Sequence, residues 1–194
     1  MSKVSTLSIG LVILAAIGLS SWAHVSDFEF GKFDDFEEAL QKGIPHQINH
    51  IVHKENYDGV TIVMYTTFPD QMELPLADYE ALAVAFFKGS DKEGWESIGQ
   101  HGWTHYENDH MTLYSEALRD YDHQGNTLHD FYVVFGEINN PNIVTVETKT
   151  HEGKTFEEAK IISSNGLRYY FQIGREMIVR GLSGSGEVID RQGG

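Results

Sequence analysis

The most constraining feature of the sequence is the stretch at residues 131–150, FYVVFGEINNPNIVTVETKT. Its first five residues, 131–135, are aromatic or β-branched at every position, so a strand formed there would have two apolar faces. Such a strand is typical of the middle of a sheet that is covered on both sides. The sequence therefore predicts a central, doubly covered strand at this point.

A turn signal, NNPN at residues 139–142, separates this run from a second strand-like run at residues 143–150. The second run alternates but is more polar, with Val146 and Thr148 on one side and residues such as Glu147 on the other. This pattern predicts a strand that leaves the core for a more solvated edge of its sheet.

The composition allows one substantial hydrophobic core. The chain has 194 residues, of which 41% are hydrophobic and 12% aromatic, which is enough for a single domain. It has no cysteine, which excludes disulfides, thiolate metal sites and a cysteine nucleophile. Its formal charge of −15 at pH 7 disfavours nucleic acid and anionic membrane surfaces as partners, because both select basic patches.

The first 23 residues have the three parts of an export signal. Lys3 supplies a positive charge, and an apolar run follows at residues 7–19. Small side chains at Ser21 and Ala23 then fit the preference of a signal peptidase. Residues 1–23 are therefore interpreted as a signal peptide.

Two fates of this segment remain open. Cleavage before His24 would leave residues 24–194 as a single exported β-rich domain, secreted or otherwise extracytoplasmic. Without cleavage, residues 1–23 would be an N-terminal anchor, because the segment is near the minimum length that spans a hydrocarbon core of about 30 Å. Both fates place the remainder of the chain outside the cytoplasm.

One short helix is predicted near the start of the β-rich domain, at residues 34–42. Phe33, Phe36 and Leu40 recur at helical spacing, with acids in the first turn and a lysine in the last. Gly43 is expected to end the helix in a left-handed conformation.

The rest of the sequence alternates short β-prone runs with turn signals. Asp58-Gly59 separates two such runs and is a strong hairpin signal. Residues 82–88 and 111–118 are ambiguous between helix and strand, and the first of them is interpreted as a strand. Many short strands after one helix predict a mainly β fold: an antiparallel β-sandwich or open barrel with one short N-terminal helix.

The segment FGEINNPNI at residues 135–143 is followed by Val146. A Gly94-Trp95 turn and, further upstream, the predicted export signal precede it. In these features the chain resembles small exported proteins of bacilli and their relatives, whose function is uncharacterised. The resemblance spans residues 52–190. It implies an extracytoplasmic β-rich domain and transfers no catalytic residue.

Three motifs of catalysis or ion binding are present only in part. GLSGSG at residues 181–186 lacks the spacing of a phosphate loop or a nucleophile elbow. HE at residues 151–152 begins like a zinc-protease helix, but Thr155 stands where the second histidine is required. DYDHQG at residues 120–125 fits half of a calcium loop, but Phe131 replaces its bidentate glutamate.

These incomplete motifs favour an exported, non-catalytic binding or interaction domain. Its expected partner is a protein, a peptide or a component of the cell envelope, with no nucleic acid and no cofactor. An enzymatic function is the less favoured interpretation, because the motifs that would support one fail at a required position.

The alternative function is a divalent-metal site, most simply zinc, formed by His101, His105 and His110. Neutral imidazole is a suitable zinc ligand, and Glu107 or Asp109 in the same segment could supply a further one. The chain would then be a metal-binding module or a metal-dependent hydrolase. The competing interpretation is that these histidines are exposed or hydrogen-bonded locally.

We expect the mature protein to begin at or near His24, because Ser21 and Ala23 fit the small-x-small rule for cleavage. N-terminal sequencing of the exported protein measures this. Recovery of an intact Met1 in a washed membrane fraction would instead identify residues 1–23 as an anchor.

Overall fold

The computed structural model describes residues 31–69, 74 and 77–194. The segment interpreted as a signal peptide and the expected mature N-terminus lie outside these residues. The described part contains fourteen strands and one short helix. In chain order they are β1 (Lys32–Phe33), α1 (Phe36–Lys42), β2 (His50–Tyr57), β3 (Val60–Thr67), β4 (Ala81–Ser90), β5 (Gly94–Ile98), β6 (Trp103–Thr104), β7 (Tyr114–Tyr121), β8 (Thr127–Glu137), β9 (Thr145–Lys149), β10 (Glu157–Glu158), β11 (Lys160–Ser164), β12 (Leu167–Ile173), β13 (Ile178–Leu182) and β14 (Val188–Gln192).

The strands form three antiparallel sheets. Sheet I has the order β1-β5-β4-β3-β2, and β6 pairs with another part of β4. Sheet II has the order β11-β12-β8-β7, and sheet III the order β10-β9-β13-β14. Within the described residues no sheet closes into a barrel, and the arrangement fits a β-sandwich. The predicted fold class, mainly β with antiparallel sheets and one short helix, is confirmed.

Two tight turns set the register of their hairpins. Asp58 and Gly59, between β2 and β3, have φ angles of 50° and 77°. Asn165 and Gly166, between β11 and β12, have φ angles of 51° and 78°. Two successive residues with positive φ give a turn whose twist matches that of the flanking strands. The Asp-Gly hairpin predicted from the sequence is therefore confirmed.

The main core lies between sheets I and II. Alternate residues along the central strands are buried there, because successive side chains of a strand point to opposite faces. These side chains include Ile62 and Met64 of β3, Val84 and Phe86 of β4, and Leu118, Val133 and Phe171 of sheet II. Packing of two sheets face to face in this way defines a β-sandwich.

β8 is covered on both of its faces. Phe131, Val133 and Phe135 face the main core, whereas Val134 packs on the opposite side among residues of sheet III. Val133 and Val134 are both 0% exposed. The prediction of a central, doubly covered strand is confirmed, with sheet I on one face and sheet III on the other.

The position of β9 differs from the prediction made for the second run, residues 143–150. This strand lies inside sheet III, between β10 and β13, and its Val146 and Thr148 are fully buried. The expectation of a solvated edge strand is wrong, because the NNPN turn carries the chain into a third sheet instead of folding it back beside β8. The polar character of the run comes from the opposite face, where Glu147 accepts a hydrogen bond from Arg180 Nε at 2.6 Å.

Helix α1 covers the outer face of sheet I. Asp35 caps its N-terminus by accepting a hydrogen bond from Glu38 N–H at 2.8 Å. Leu40 is buried against sheet I, and the ring of Phe36 packs edge-on against Phe87 and Trp95, as the predicted apolar stripe requires. Within the described residues, no helix has both the length and the apolar character that a membrane span needs.

Gly43 ends the helix for a different reason from the one predicted. Its φ of −84° is not left-handed, so that expectation is wrong. A Cβ atom at this position would lie 2.5 Å from Ala39 O in the helix itself, 3.1 Å from Ser97 Cβ and 3.2 Å from the ring of Phe33. The glycine therefore allows close packing of the helix end on β1 and β5.

We expect the Gly136→Ala variant to lower the free energy of unfolding by about 1–3 kcal/mol or more, the range of overpacked cores. A Cβ at Gly136 would overlap Thr112 O and lie 2.8 Å from Tyr170 Cε1, where sheets II and III meet. Urea titration measures the effect. The control is Gly184→Ala, in a turn with nothing within 4 Å of the added carbon. Equal stability of the two variants would contradict this packing.

Candidate functional site

The sandwich of sheets I and II has two sides at which edge strands of the two sheets meet, and these sides differ. On one side the edge strands β2 and β11 are joined, because His50 Nε2 lies 2.6 Å from Ser164 Oγ and Lys160 Nζ donates to Glu55 Oε2 at 2.5 Å. On the opposite side, β5 and β6 of sheet I lie across from β7 of sheet II. Two cavities open between them. In the part of the chain that the structure describes, the second side is therefore the more open one.

A break in sheet I produces this opening. β5 and β6 both pair with β4, but at different places, and residues 99–102 between them leave its edge. Gly99 has a φ of 84°, and a Cβ there would lie 3.0 Å from Leu118 Cδ1. The loop thus lies directly against β7, and its glycine permits the turn and the close approach.

The two cavities form what we term the β7 groove. The first has a volume of about 250 Å³ and lies between β6 and the first half of β7. The second, of about 200 Å³, lies between residues 99–100 and the second half of β7. Glu116 lines both cavities. The other groups that line the first cavity include Trp103, Thr104, Tyr106, Tyr114 and Phe135, and the second includes Ala117 and Arg119.

Glu116 is a carboxyl group on the core-facing side of its strand. Alternation along β7 places it between Tyr114 and Leu118, which both belong to the main core. Burial raises the pKa of Glu116, although Ala117 N–H donates a hydrogen bond to Oε1 at 3.3 Å. None of the described cationic side chains forms an ion pair with it. Its charge is therefore held in a partly desolvated place without a counter-charge.

A second carboxyl group acts on the same groove. Burial, followed by the charge of Glu80, raises the pKa of Glu137 at the end of β8. Burial also raises the pKa of Tyr114 in the groove, and the charge of Glu137 adds to this shift. Burial, Glu137 and Glu80 together raise the pKa of Tyr169 to about 12. The charge of Glu137 therefore acts on Tyr114, which lines the first cavity together with Glu116.

Glu137 also lines a cavity of its own. This cavity has a volume of about 270 Å³ and lies at the end of sheet II, next to the NNPN turn. Its polar lining includes Asn139 and Arg168, but the guanidinium of Arg168 already donates to Ile143 O at 2.5 Å. We place the candidate site in the β7 groove, where two cavities adjoin along one strand edge.

The first of the three histidines predicted to bind zinc lies near the break in sheet I. His101 O accepts a hydrogen bond from His46 Nε2 at 3.1 Å, and His101 Nε2 lies 3.5 Å from Ser97 Oγ. Burial and the neighbouring His46 lower the pKa of His101. Its surroundings favour a neutral imidazole.

The other two histidines have different neighbours. The ring of His105 is stacked on that of Tyr79, with 4.0 Å between centroids. His110 Nδ1 accepts a hydrogen bond from Asn140 Nδ2 at 2.9 Å. In the ranges that the structure describes, no three histidine, cysteine or acidic residues are grouped to hold a metal ion. Zinc binding by His101, His105 and His110 stays a prediction that requires these side chains to exchange partners.

The half calcium loop of the sequence forms a turn. Asp122 Oδ1 accepts hydrogen bonds from Gln124 N–H and Asn126 N–H, each at 2.8 Å. These bonds, with the amide of Asn126 on Oδ2 at 2.7 Å, use the carboxylate to close the β7–β8 hairpin. The interpretation of this segment as a turn before the central strand is confirmed.

Glu116 and Glu137 were not among the residues predicted from the sequence. For Glu116 a signal existed, because residues 114, 116 and 118 are Tyr, Glu and Leu, and an acid there interrupts an apolar face. That signal is readable only once residues 111–118 are known to form a strand. For Glu137 the relevant neighbour, Glu80, lies in a distant part of the sequence.

Comparisons of the chain with models of protein families, with curated proteins and with solved structures give no match. The resemblance to small exported proteins of bacilli therefore stays a prediction.

We expect the Glu116→Gln variant to be more stable than the parent at pH 7, by about 0.5 kcal/mol, the scale of a partly solvated charge. Because burial raises the pKa of Glu116 in the folded state, its contribution to stability is largest at low pH. It falls as the pH rises from the unfolded pKa, about 4.3, through the folded one.

The gain should therefore disappear below about pH 4, where the parent carboxyl is protonated in both states. Thermal unfolding from pH 3 to pH 8 measures it, with the exposed Glu187→Gln as the matched control. A Glu116→Gln protein that is less stable than the parent at pH 7 would show that the carboxylate stabilises the fold.

Proposed function

We propose that this chain is an exported, non-catalytic binding domain that takes a segment of a protein, a peptide or a cell-envelope component into the β7 groove. The observation that supports this most is the position of Glu116, an unpaired carboxyl shared by two adjoining cavities beside a free strand edge. The export signal at residues 1–23 supports an extracytoplasmic location.

The edge of β7 is unusual in being long and open. Within the described residues, this eight-residue strand pairs with β8 only. Proteins usually protect such an edge, because its free N–H and C=O groups can pair with another chain. β11 and β7 are the two edge strands of sheet II. The outer edge of β11 lies against β2, whereas the outer edge of β7 borders the groove. An accessible edge next to a cavity favours the binding of a partner segment.

Glu116 supports a binding role because its position does not serve packing. A carboxylate that is partly desolvated and has no counter-charge disfavours the folded state. A neutral or apolar residue would complete the face formed by Tyr114 and Leu118 better. Groups that oppose stability in this manner are typical of binding and catalytic sites.

The contacts of Glu116 favour binding over catalysis. Its hydrogen-bond partner is the backbone N–H of Ala117, and not a nucleophile or a base among the described side chains. The proposal would be abandoned if the purified protein turned over a substrate in a broad hydrolase panel and Glu116→Gln removed that activity. The overall charge of −15 continues to disfavour nucleic acid as the ligand.

The zinc-binding module remains the second proposal. Calorimetric titration of metal-stripped protein with zinc, compared with the His101→Ala, His105→Ala double variant, separates it from the first. Binding that needs these histidines would support it, and binding no tighter than about millimolar would reject it.

We expect Gly102→Trp to abolish ligand binding while the fold is kept. Gly102 has no left-handed φ, and a Cβ there would lie 3.9 Å from Glu116 Oε2, so a large side chain has room to enter the first cavity. Gly184→Trp is the matched control, because it adds the same side chain to an open turn. Both should unfold at nearly the same temperature as the parent.

The measurement is binding of ligands selected on the parent protein from displayed peptides and cell-envelope fragments. Loss of affinity of at least about tenfold, roughly 1.4 kcal/mol, in Gly102→Trp alone would support the groove as the binding site. Equal affinities of the two variants, or no ligand enriched on the parent, would contradict the proposal.

A further inference from the structure

The hydrogen bond of Ala117 shows which edge of β7 faces the groove. In an antiparallel strand, the N–H groups of alternate residues point to opposite edges. Ala117 N–H donates to Glu116 Oε1 at 3.3 Å, and thus points away from β8, the partner on the other edge. Ser115 and Arg119, two residues away on either side, present their N–H groups to the same edge.

The carboxylate of Glu116 therefore replaces the carbonyl acceptor that a neighbouring strand would supply. In a paired sheet, Ala117 N–H would donate to a carbonyl of the neighbouring strand. Here the carboxylate of the preceding residue accepts that hydrogen bond, in a long contact within the same chain. An incoming strand would supply a carbonyl for Ala117 and release the carboxylate of Glu116.

We propose that the ligand of the β7 groove is an extended peptide that pairs with the outer edge of β7 and places a lysine or arginine side chain on Glu116. This inference rests on the proposed function and specifies its ligand class. The peptide carbonyl takes the N–H of Ala117, and the released carboxylate accepts hydrogen bonds from the cationic side chain. In the complex, the N–H of Ala117 and the carboxylate of Glu116 would therefore each keep a hydrogen-bond partner.

The carboxyl groups that act on the first cavity select a cation there. Glu116 has no counter-charge among the described residues, and the charge of Glu137 reaches Tyr106 and Tyr114 in the first cavity. The charge of Glu116 also reaches Tyr65, whose fully buried hydroxyl has no hydrogen-bond partner in the described structure. A glutamate or aspartate on the ligand would be repelled by these carboxylates, whereas a lysine or arginine would be attracted by them.

The shape of the groove determines the neighbours of that cation. Alternate side chains of an added strand point into the sandwich, so the residues two before and two after the basic one also face inward. At one end they would meet the aromatic residues Trp103 and Tyr114, and at the other residues 99–100. A basic residue flanked at alternate positions by apolar residues fits this arrangement.

The test uses a peptide of sequence Thr-Val-Thr-Lys-Thr-Val-Thr with blocked ends, and versions with Glu or Gln in place of the lysine. The lysine peptide should bind about tenfold to a hundredfold more tightly than the Gln peptide, the range for a hydrogen bond to a charged group. Calorimetry gives the affinities. The amide resonance of Ala117 reports whether its hydrogen bond changes partner.

Two controls separate the parts of the proposal. Glu116→Gln should remove the preference for lysine over Gln, whereas the exposed Glu187→Gln should retain it. A lysine peptide that is N-methylated at alternate backbone nitrogens keeps its charge but loses strand pairing, and it should bind at least about tenfold more weakly.

Each contrary outcome has a distinct meaning. Equal binding of the lysine and Glu peptides, with loss of binding in Gly102→Trp, would overturn the cation preference and leave the proposed function standing. Unchanged binding after N-methylation would overturn strand addition. If none of the peptides binds the parent protein more tightly than about millimolar, this ligand class is wrong, and the Gly102→Trp comparison alone decides the proposed function.

Discussion

The packing of both faces of β8 is the constraint on which the other parts of the structure depend. Sheet I covers one face and sheet III the other, so sheet II is an inner layer. A ligand cannot reach the faces of an inner sheet, and access is limited to its edges and ends. The β11 edge is linked to β2 by hydrogen bonds, which leaves β7 as the accessible edge among the described residues. The position of the groove thus follows from the burial of the central strand.

Much of the fold could be predicted because its signals are local. The apolar run at residues 131–135, the stripe of α1 and the turn at Asp58-Gly59 each specify their own structure within a few residues. The fate of β9 could not be predicted in this way. Whether a strand after a turn returns to its own sheet or enters another depends on distant partners, here β13, which follows β9 by about thirty residues. For the same reason, the assembly of sheet III as a whole could not be predicted from the sequence.

The candidate site was less predictable than the fold. Histidines are the usual candidates for a metal site in a sequence because they ligate metals. In the structure, however, His105 stacks on an aromatic ring and His110 accepts a hydrogen bond from an amide. Glu116 is inconspicuous among the many acids of the chain until the strand direction and the break between β5 and β6 are known. Its significance lies in burial without a counter-charge, and burial is a property of the fold.

The contact between Glu116 and Ala117 places a negative charge at the open edge of β7. An open edge favours unwanted association, and a carboxylate that accepts the hydrogen bond of an edge N–H reduces that tendency while adding a charge that repels acidic chains. The chain itself has a formal charge of −15, so copies of the protein are disfavoured as partners at this edge. The same carboxylate is available to a basic segment, which compensates its charge and replaces its hydrogen bond together. On the proposed function, one side chain on the inner face of β7 protects the edge from most chains and admits a particular class of them, which would account for a residue unfavourable to packing at this position.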